Sequence, residues 1–245
     1  MAVQFATYGY KYQKNGKWFY APTEKGCDIG EDLKEQVEQA HAFDGIYYHL
    51  HKGGHVAALH EHRPHQFFCR VDIERFFYRI TRNRVARALR SIGIIRAERY
   101  AKWSTVKDPF GEFNYVIPYG FVQSPVLATL VLDRSDVGEF LRSLPAGIGR
   151  SVYMDDIVLS GDDLNTLDTH FDMLKSELVR ANFNLSQRKI RSPRKAMDVF
   201  NCDLETGQSV VQQDRREKFY AEPRSVVSVE AFEEYCERVE SGNAP

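Results

Sequence analysis

The sequence predicts an α+β fold in which antiparallel strands are backed by helices. Runs of β-branched and aromatic residues flank tight-turn signals at Asn15–Gly16 and around Asp155–Asp156, which is typical of antiparallel hairpins. A long amphipathic pattern over residues 164–181 indicates a helix with one buried face. Because 43% of the 245 residues are hydrophobic and 13% are aromatic, the chain can bury a sizeable core.

Composition also limits the class of protein. No apolar run approaches ~18 residues, so the sequence predicts no membrane span. Residues Met1–Gln4 lack the basic and then apolar layout of a signal peptide. The four cysteines are widely scattered, which favours reduced thiols over disulfides or a zinc site. We therefore expect a cytoplasmic protein without a membrane partner.

The net charge of −1 conceals a segregated distribution of charge. Residues 70–107 contain eleven Lys or Arg against three acids, and residues 180–195 contain six basic residues and no acid. Residues 196–245 reverse this balance, with eleven acids against five basic residues. The two basic segments could form a groove that follows a phosphate backbone, although solvated helix faces explain the charge equally well.

The N-terminal third predicts a hairpin, a helix and a histidine-rich stretch. Asn15–Gly16 centres the hairpin, on which Lys14 and Lys17 could contact a polyanion or simply be solvated. Apolar residues at helical spacing predict a helix over residues 31–43. Residues 41–65 hold seven of the eight histidines, but their spacing matches no closed zinc ligand set. Phosphate or base contacts by partly protonated imidazoles are the other interpretation.

Residues 67–132 are predicted to form a strand that ends in an acid, followed by two helices. An apolar run over residues 67–73 predicts a strand that ends near Asp72, and a buried aspartate is costly unless it is paired, hydrogen-bonded or metal-bound. Thr81 is predicted to cap a helix that ends at Gly93. Ser124 is predicted to cap an apolar helix over residues 126–132. The helix capped by Thr81 should direct four arginines largely outward: Arg82, Arg84, Arg87 and Arg90.

The acidic hairpin over residues 151–161 should turn at Asp155–Asp156. Because successive strand side chains point to opposite faces, at most one of these aspartates points squarely at a given site. We expect Asp155 to be the principal ligand and Asp156 the weaker one, although an ordinary surface turn would explain the pair taken alone. The remaining predictions are a helix over residues 164–181, a basic strand or loop over 184–190, a hairpin of Val199–Cys202 with Ser209–Val211, and a helix over Val229–Val239.

Read together, these motifs resemble the palm motifs of reverse transcriptases. The motifs are a strand ending in Asp72 with Phe77 five residues on, Pro118-Tyr119-Gly120 followed by Ser124-Pro125, Tyr153-Met154-Asp155-Asp156, and Lys189 beyond a helix. The resemblance runs from about residue 8 to about residue 211 and is closest to bacterial enzymes of the retron, group II intron and defence-associated kind. It implies a right-hand polymerase with fingers and an antiparallel palm sheet backed by helices, and with a reduced or absent thumb.

The resemblance also implies a domain organisation. Residues 1–66 would be a fingers-like region, and residues 67–211 would be the palm with inserted fingers elements at about 80–115. Residues 212–245 would be a short helical tail or a vestigial thumb. Because this tail is short and acidic, a grip on duplex would come from a bound RNA, a homo-oligomer or a second polymerase subunit. We expect no appended maturase or endonuclease domain, which favours a retron-like or antiphage-defence enzyme.

The activity implied is RNA-directed DNA synthesis by two-metal phosphoryl transfer. Two Mg²⁺ ions, with Mn²⁺ as the alternative, would be held by Asp72, Asp155, Asp156 and the backbone carbonyl of Ile73. The nucleotide-binding set implied by the resemblance is Phe77, Tyr119, Gly120, Lys189, Lys14 and Lys17. In that set Phe77 would exclude a 2′-hydroxyl, and Lys189 would lie near the triphosphate. Tyr119 departs from the family's usual Gln.

The implied partners are dNTPs, an RNA template or a structured noncoding RNA, and the DNA product. Two other functions stay open. A catalytically reduced palm could scaffold a partner polymerase, as Tyr119 and the short tail suggest. An RNA-dependent RNA polymerase is the second alternative, against which Phe77 and Tyr153-Met154 argue.

Overall fold

A computed structural model describes residues 5–244, so Met1–Gln4 and the signal-peptide expectation lie outside the described residues. The chain forms two compact units. Of the described residues, the first unit comprises 5–44, 74–142 and 180–184, and the second comprises 45–73, 143–179 and 185–244. In residues 5–244 no helix is long and apolar enough to cross a membrane. The assignment of fingers, palm and tail boundaries stays a prediction.

Helices and strands are mixed along the described chain. The α-helices are α1 (Glu24–Ala40), α2 (Gly54–His62), α3 (Phe76–Arg79), α4 (Arg82–Ser91), α5 (Ala97–Trp103), α6 (Ser124–Asp133), α7 (Asp136–Ser143), α8 (Leu164–Arg180), α9 (Gln213–Tyr220) and α10 (Val226–Glu240). The strands are β1 (Tyr8–Lys14), β2 (Lys17–Pro22), β3 (Phe67–Asp72), β4 (Val106–Lys107), β5 (Tyr115–Val116), β6 (Gly149–Tyr153), β7 (Asp156–Gly161), β8 (Arg191–Arg194), β9 (Ala196–Val199), β10 (Cys202–Glu205) and β11 (Gln208–Val211).

In the first unit, β1 and β2 form the predicted antiparallel hairpin. Asn15 and Gly16 both have positive φ, 51° and 74°, as the tight two-residue turn requires. Helix α1 begins seven residues before its predicted start, because the Thr23 side chain accepts a hydrogen bond from the Gly26 N–H at 3.1 Å and so caps the helix there. A small apolar cluster, centred on Tyr20, anchors this hairpin.

Two helix predictions in the first unit need correction. Thr81 caps α4 as predicted, but Arg84 does not point outward: its guanidinium lies 4.1 Å from the centre of the Phe183 ring. The residue before α6 is Gln123, not Ser124. The Ser124 N–H already bonds to the Phe121 carbonyl at 3.2 Å, so the chain has turned into the helix before Ser124 and buries that side chain.

The second unit is built on a four-stranded sheet of order β6-β7-β3-β8, with the described pairs antiparallel. A second sheet of order β11-β10-β9 packs beside α10, and buried side chains of both sheets and α10 share one apolar cluster. The prediction of a strand over Val199–Cys202 was wrong, because Phe200 and Asn201 have φ of 53° and 60° and form a turn between β9 and β10. The last helix starts at Val226, three residues earlier than predicted.

Candidate active site

The acidic hairpin lies in the second unit, between β6 and β7. Its last cross-strand pair is Tyr153 with Asp156, so the turn is Met154–Asp155, one residue earlier than predicted. Met154 has φ of 58°, and its N–H donates a hydrogen bond to His49 Nδ1 at 3.1 Å. Burial lowers the pKa of His49 to about 4, which keeps the ring neutral and able to accept this bond. His49 thus supports the left-handed turn residue.

The strand register brings the predicted acids together. Asp72, the last residue of β3, lies directly opposite Asp156, the first residue of β7. Directly opposed residues of antiparallel strands place their side chains on the same face of the sheet. The Ile73 N–H donates to the Asp155 carbonyl at 2.8 Å, which ties the end of β3 to the turn. The three aspartates and Ile73 therefore meet at one end of the sheet.

Two cations contact these acids. Arg70 donates to Asp156 Oδ1 from Nε at 2.8 Å and from Nη2 at 2.7 Å. The Lys189 Nζ lies 2.5 Å from Asp72 Oδ2. Asp72 is only 3% exposed, and a buried carboxylate needs such a partner. The sequence predicted Lys189 for a site, but it gave no reason to expect Arg70, which lies two residues before Asp72 on the same face of β3.

Burial and neighbouring charges shift the pKa values of Asp156 and Lys189. Burial raises the pKa of Asp156 to about 6; the Arg70 guanidinium opposes this shift, and the charges of Asp155 and Asp72 add to it. Burial alone would lower the pKa of Lys189, but its hydrogen bond to Asp72 and the negative charges of the three aspartates raise it. Mutual repulsion between carboxylates and attraction of a cation are the two electrostatic properties of this site.

The oxygen-rich cluster was tested for its fit to a divalent metal ion. Within residues 5–244, no three His, Cys, Asp or Glu side chains converge closely enough to hold a metal ion as they stand. The strand register nevertheless sets Asp72 opposite Asp156, with Asp155 in the adjoining turn. Carboxylate oxygens are the ligands that Mg²⁺ prefers. Arg70 and Lys189 bind two of these carboxylates in this structure, and the donor chemistry of the three residues fits such an ion.

A cleft of 590 Å³ borders the hairpin within the second unit and is lined by Tyr153, Met154, Asp155 and Asp156 on one side. Phe200 lines another side, and its ring centre lies 5.4 Å from that of Tyr153. The acids are therefore reachable from an open, partly apolar cleft. By the resemblance to reverse transcriptases, Val199–Gly207 would match the primer grip, and Phe200 of this segment contributes to the wall of the cleft.

Four of the predicted nucleotide-binding residues come together in the first unit. The rings of Phe77 and Tyr119 stack with centres 4.6 Å apart and planes 23° apart, and the Lys17 ammonium lies 4.9 Å from the centre of the Tyr119 ring. Gly120 has φ of 102°, and a Cβ there would lie 2.3 Å from the Tyr20 carbonyl oxygen. Only glycine fits this approach. Lys14 pairs across the hairpin with Lys17, and the roles of all five stay predictions.

Two histidines of residues 41–65 have polar partners within the fold, and contact of this stretch with phosphates or bases stays a prediction. The buried His62 ring bridges the hydroxyls of Ser151 and Ser160, each at 2.7 Å. His41 contacts Asp133 at 2.9 Å. Sequence reasoning could not assign these roles, because the serine and aspartate partners are distant in the chain.

The chain matches a known protein family over most of its length. The family model described as reverse transcriptase (RNA-dependent DNA polymerase) matches residues 28–201, well over half of the chain. The chain belongs to the reverse transcriptase family. The description of that family agrees with the predicted enzyme class, an RNA-directed DNA polymerase and hence a nucleotidyltransferase. No curated protein sequence matches the chain.

Solved structures confirm the fold class of this reverse transcriptase family member. A foamy viral protease–reverse transcriptase in complex with double-stranded DNA has a TM-score of 0.53 at 18% identity, covering 91% of this chain and 34% of that one. The foamy viral protease–reverse transcriptase in complex with an RNA/DNA hybrid has a TM-score of 0.54 at 17% identity, with 91% and 26% coverage. Telomerase from Candida albicans, in complex with a telomeric RNA fragment, has a TM-score of 0.53 at 11% identity, with 76% and 37% coverage. The chain thus spans little more than a third of these proteins at most.

Proposed function

We propose that this chain is an RNA-directed DNA polymerase that adds deoxynucleotides by two-metal phosphoryl transfer. The observation that carries the proposal is the register of β3 and β7, which sets Asp72 opposite Asp156 with Asp155 in the adjoining turn. Phosphoryl transfer needs alignment and charge stabilisation but no side-chain nucleophile. An oxygen-rich cluster at the end of a sheet meets that requirement.

Each residue of the cluster has a proposed task. Asp72, Asp155 and Asp156, with the Ile73 carbonyl, would hold two Mg²⁺ ions, for which Mn²⁺ could substitute. Ions bound in this way stabilise negative charge on the attacking and leaving oxygens. Arg70, which binds Asp156 through two nitrogens, would fix the orientation of that carboxylate. 

Lys189 has a separate proposed task, because it is a cation beside the acids. Its raised pKa keeps the ammonium protonated at neutral pH, so it can bind the triphosphate and give a proton to the departing pyrophosphate oxygen. General acid catalysis of this kind contributes roughly 10²–10⁴-fold to rate.

The direct test is primer extension by the full chain on an RNA template with dNTPs and Mg²⁺. Wild-type protein should extend the primer, and Asp155→Asn should lower kcat at least ~10³-fold, because positioned charge is usually the largest catalytic contribution. The matched control is Asp168→Asn, which makes the same change at an exposed position on α8 and should leave kcat unchanged. Primer extension by the Asp155 variant at the wild-type rate would contradict the proposal. Full biological activity in a variant that lacks all three acids would also contradict it and would favour a scaffold.

The proposed substrate is the deoxynucleotide, with selection at Phe77. Its stacking on Tyr119 should fix the ring that excludes a 2′-hydroxyl. Tyr119→Gln, which restores the family's usual residue, should change the ratio of kcat/KM for dNTPs and rNTPs by roughly threefold or more, since an aromatic pair contributes about 0.5–1.5 kcal/mol. Tyr119→Phe keeps the stack and should keep the ratio. A wild-type preference for rNTPs would instead favour the RNA-dependent RNA polymerase.

The proposed biological setting is a retron-like or antiphage-defence enzyme with an RNA partner. The structures similar in fold contain double-stranded DNA, an RNA/DNA hybrid and telomeric RNA, which supports nucleic acids as template and product here. A homo-oligomer or a second polymerase subunit would supply further grip on the duplex. Sequencing the nucleic acid that copurifies with the protein, together with its mass in solution, tests both statements; a nucleic-acid-free monomer that extends primers at full rate would overturn them.

A further inference from the structure

A polar cleft of 630 Å³ lies in the first unit, around the start of α4. Its volume is within the ~300–1,000 Å³ typical of ligand sites. The side chains that define its chemistry are Arg79, Arg82, Arg84, Tyr115, Asn182 and Asn184. No acidic residue lines it in the described part of the chain. We call it the arginine cleft.

The arginine cleft pairs guanidinium groups with aromatic rings. The Arg82 guanidinium lies 3.5 Å from the centre of the Tyr115 ring, and Tyr115 is 42% exposed. Arg79 lies 5.7 Å from the centre of the Phe113 ring, which is 37% exposed. A stacked guanidinium keeps its in-plane N–H donors for other acceptors. The cleft therefore offers both aromatic surface and hydrogen-bond donors to a ligand.

Among the described residues, the positive charge of the cleft is neutralised only at Arg79, whose guanidinium pairs with Glu112 at 3.0 Å. Within residues 5–244, Arg82, Arg84 and Arg87 form no ion pair with a carboxylate; Arg82 bonds to the Thr105 hydroxyl and Arg84 to the Arg79 carbonyl. Burial and the neighbouring Arg87 charge lower the pKa of Arg84 to about 10. A fold that holds Arg84 and Arg87 close together without a carboxylate partner for either is suited to an anionic ligand.

The charged surface also extends beyond the cleft. Arg84 and Asn182 also line a second depression of 520 Å³, which contains Arg87, Arg134 and an ion pair of Arg180 with Asp136. Two connected depressions with cations along them suit a chain of phosphates better than one compact anion. The sequence analysis had singled out this basic segment as one that could follow a phosphate backbone or be a solvated helix face.

We propose that the arginine cleft, together with the adjoining depression at Arg87, binds a single-stranded segment of RNA. Arginines would contact the phosphates, an unstacked base would stack on Tyr115, and the amides of Asn182 and Asn184 would hydrogen-bond to base edges, as in single-strand recognition generally. An acidic peptide could pair with the arginines, but it has no bases to stack on the exposed rings or to bond to the amides of Asn182 and Asn184. The assignment of this RNA as the enzyme's template or noncoding partner rests on the proposed function; the binding of RNA does not.

The test measures the affinity of the full chain for a labelled single-stranded RNA by fluorescence anisotropy, without divalent ions or nucleotides. Arg82→Gln and Arg87→Gln should each weaken binding roughly 3- to 10-fold and lower the slope of log affinity against log salt by about 0.7. Tyr115→Ala should weaken it about tenfold at all salt concentrations. Arg90→Gln, the same change on α4 outside the cleft, should alter affinity less than about twofold.

Several outcomes would overturn the proposal. They are unchanged affinity in the Arg87 and Tyr115 variants, an equal loss in Arg90→Gln, or binding of a polyglutamate peptide with the same sensitivity to these variants. Arg87 is exposed, so its variant tests the proposal even where Arg82→Gln disturbs folding. Primer extension by the same preparations keeps the two proposals apart, because a wild-type protein that fails to extend primers refutes the polymerase and leaves the binding result intact.

Discussion

Replacing His62 tests how a buried histidine limits the acid stability of the second unit. The ring is fully buried between Ser151 and Ser160, and burial, with a smaller contribution from His65, lowers its pKa from 6.5 to about 3. Between pH 6.5 and about 3, His62 therefore binds a proton in the unfolded chain but stays neutral in the folded chain. Stability is retained above pH 6.5 and is lost as the pH falls from 6.5 toward 3.

The magnitude follows from linkage. Each pH unit in that window removes about 1.4 kcal/mol from the free energy of unfolding, so lowering the pH from about 7 to about 4.5 removes about 2.5 kcal/mol through His62. His62→Gln can keep hydrogen bonds to the two serines but cannot bind the proton. The variant should start less stable at neutral pH by about 1–3 kcal/mol and lose less on acidification.

The assay is urea unfolding followed by circular dichroism at both pH values. The loss of unfolding free energy should be about 2.5 kcal/mol smaller in His62→Gln than in wild type, while His51→Gln, at an exposed histidine, should match wild type. The charge of His51 is the smallest of the causes that act on the pKa of His49, so His51→Gln should change the contribution of His49 far less than His62→Gln changes the total. Identical losses in wild type and His62→Gln would refute the reasoning.

Two further predictions concern the site and its supporting loop. Lys189→Gln should lower kcat about 10²–10⁴-fold, because it removes both the proposed acid and the cation beside Asp72, whereas Lys195→Gln should not; steady-state kinetics that show only a raised KM would contradict the role. Gly120→Ala should destabilise the protein by about 2–4 kcal/mol, since its Cβ would strike a backbone oxygen at positive φ. Gly111→Ala, with positive φ but open space, should cost about 1 kcal/mol; equal shifts in thermal unfolding would exclude the contact as the cause.

Much of the fold was accessible to sequence reasoning because local signals and tertiary structure agree. Asn15–Gly16 specifies a hairpin that forms as predicted, and the apolar spacing of α8 places Leu167, Phe171 and Leu174 inside. Element starts were less accessible. Thr23 extends α1 beyond its apolar stripe, and a turn before Ser124 moves the start of α6.

The acids of the candidate site were also accessible, because aspartates at strand ends are chemically conspicuous. Their partners were not. Arg70 looks like one more basic residue until the register of β3 and β7 brings it to Asp156. His49 looks like part of a histidine-rich stretch until the fold sets it under Met154. Such partners depend on pairings between distant segments, which a single sequence does not encode locally.

The register of β3 against β7 decides which acidic side chains share one face of the sheet. A shift of one residue in this pairing would turn every β7 side chain to the opposite face. Asp156 would then leave the face of Asp72 while each strand kept its length and its apolar residues. The two-residue turn at Met154–Asp155 fixes the register of β7 against β6, and the bond from the Ile73 N–H to the Asp155 carbonyl ties the same turn to the end of β3. An insertion in the turn would therefore disturb the position of Asp155 relative to Asp72, even where the pairing of β3 with β7 is kept.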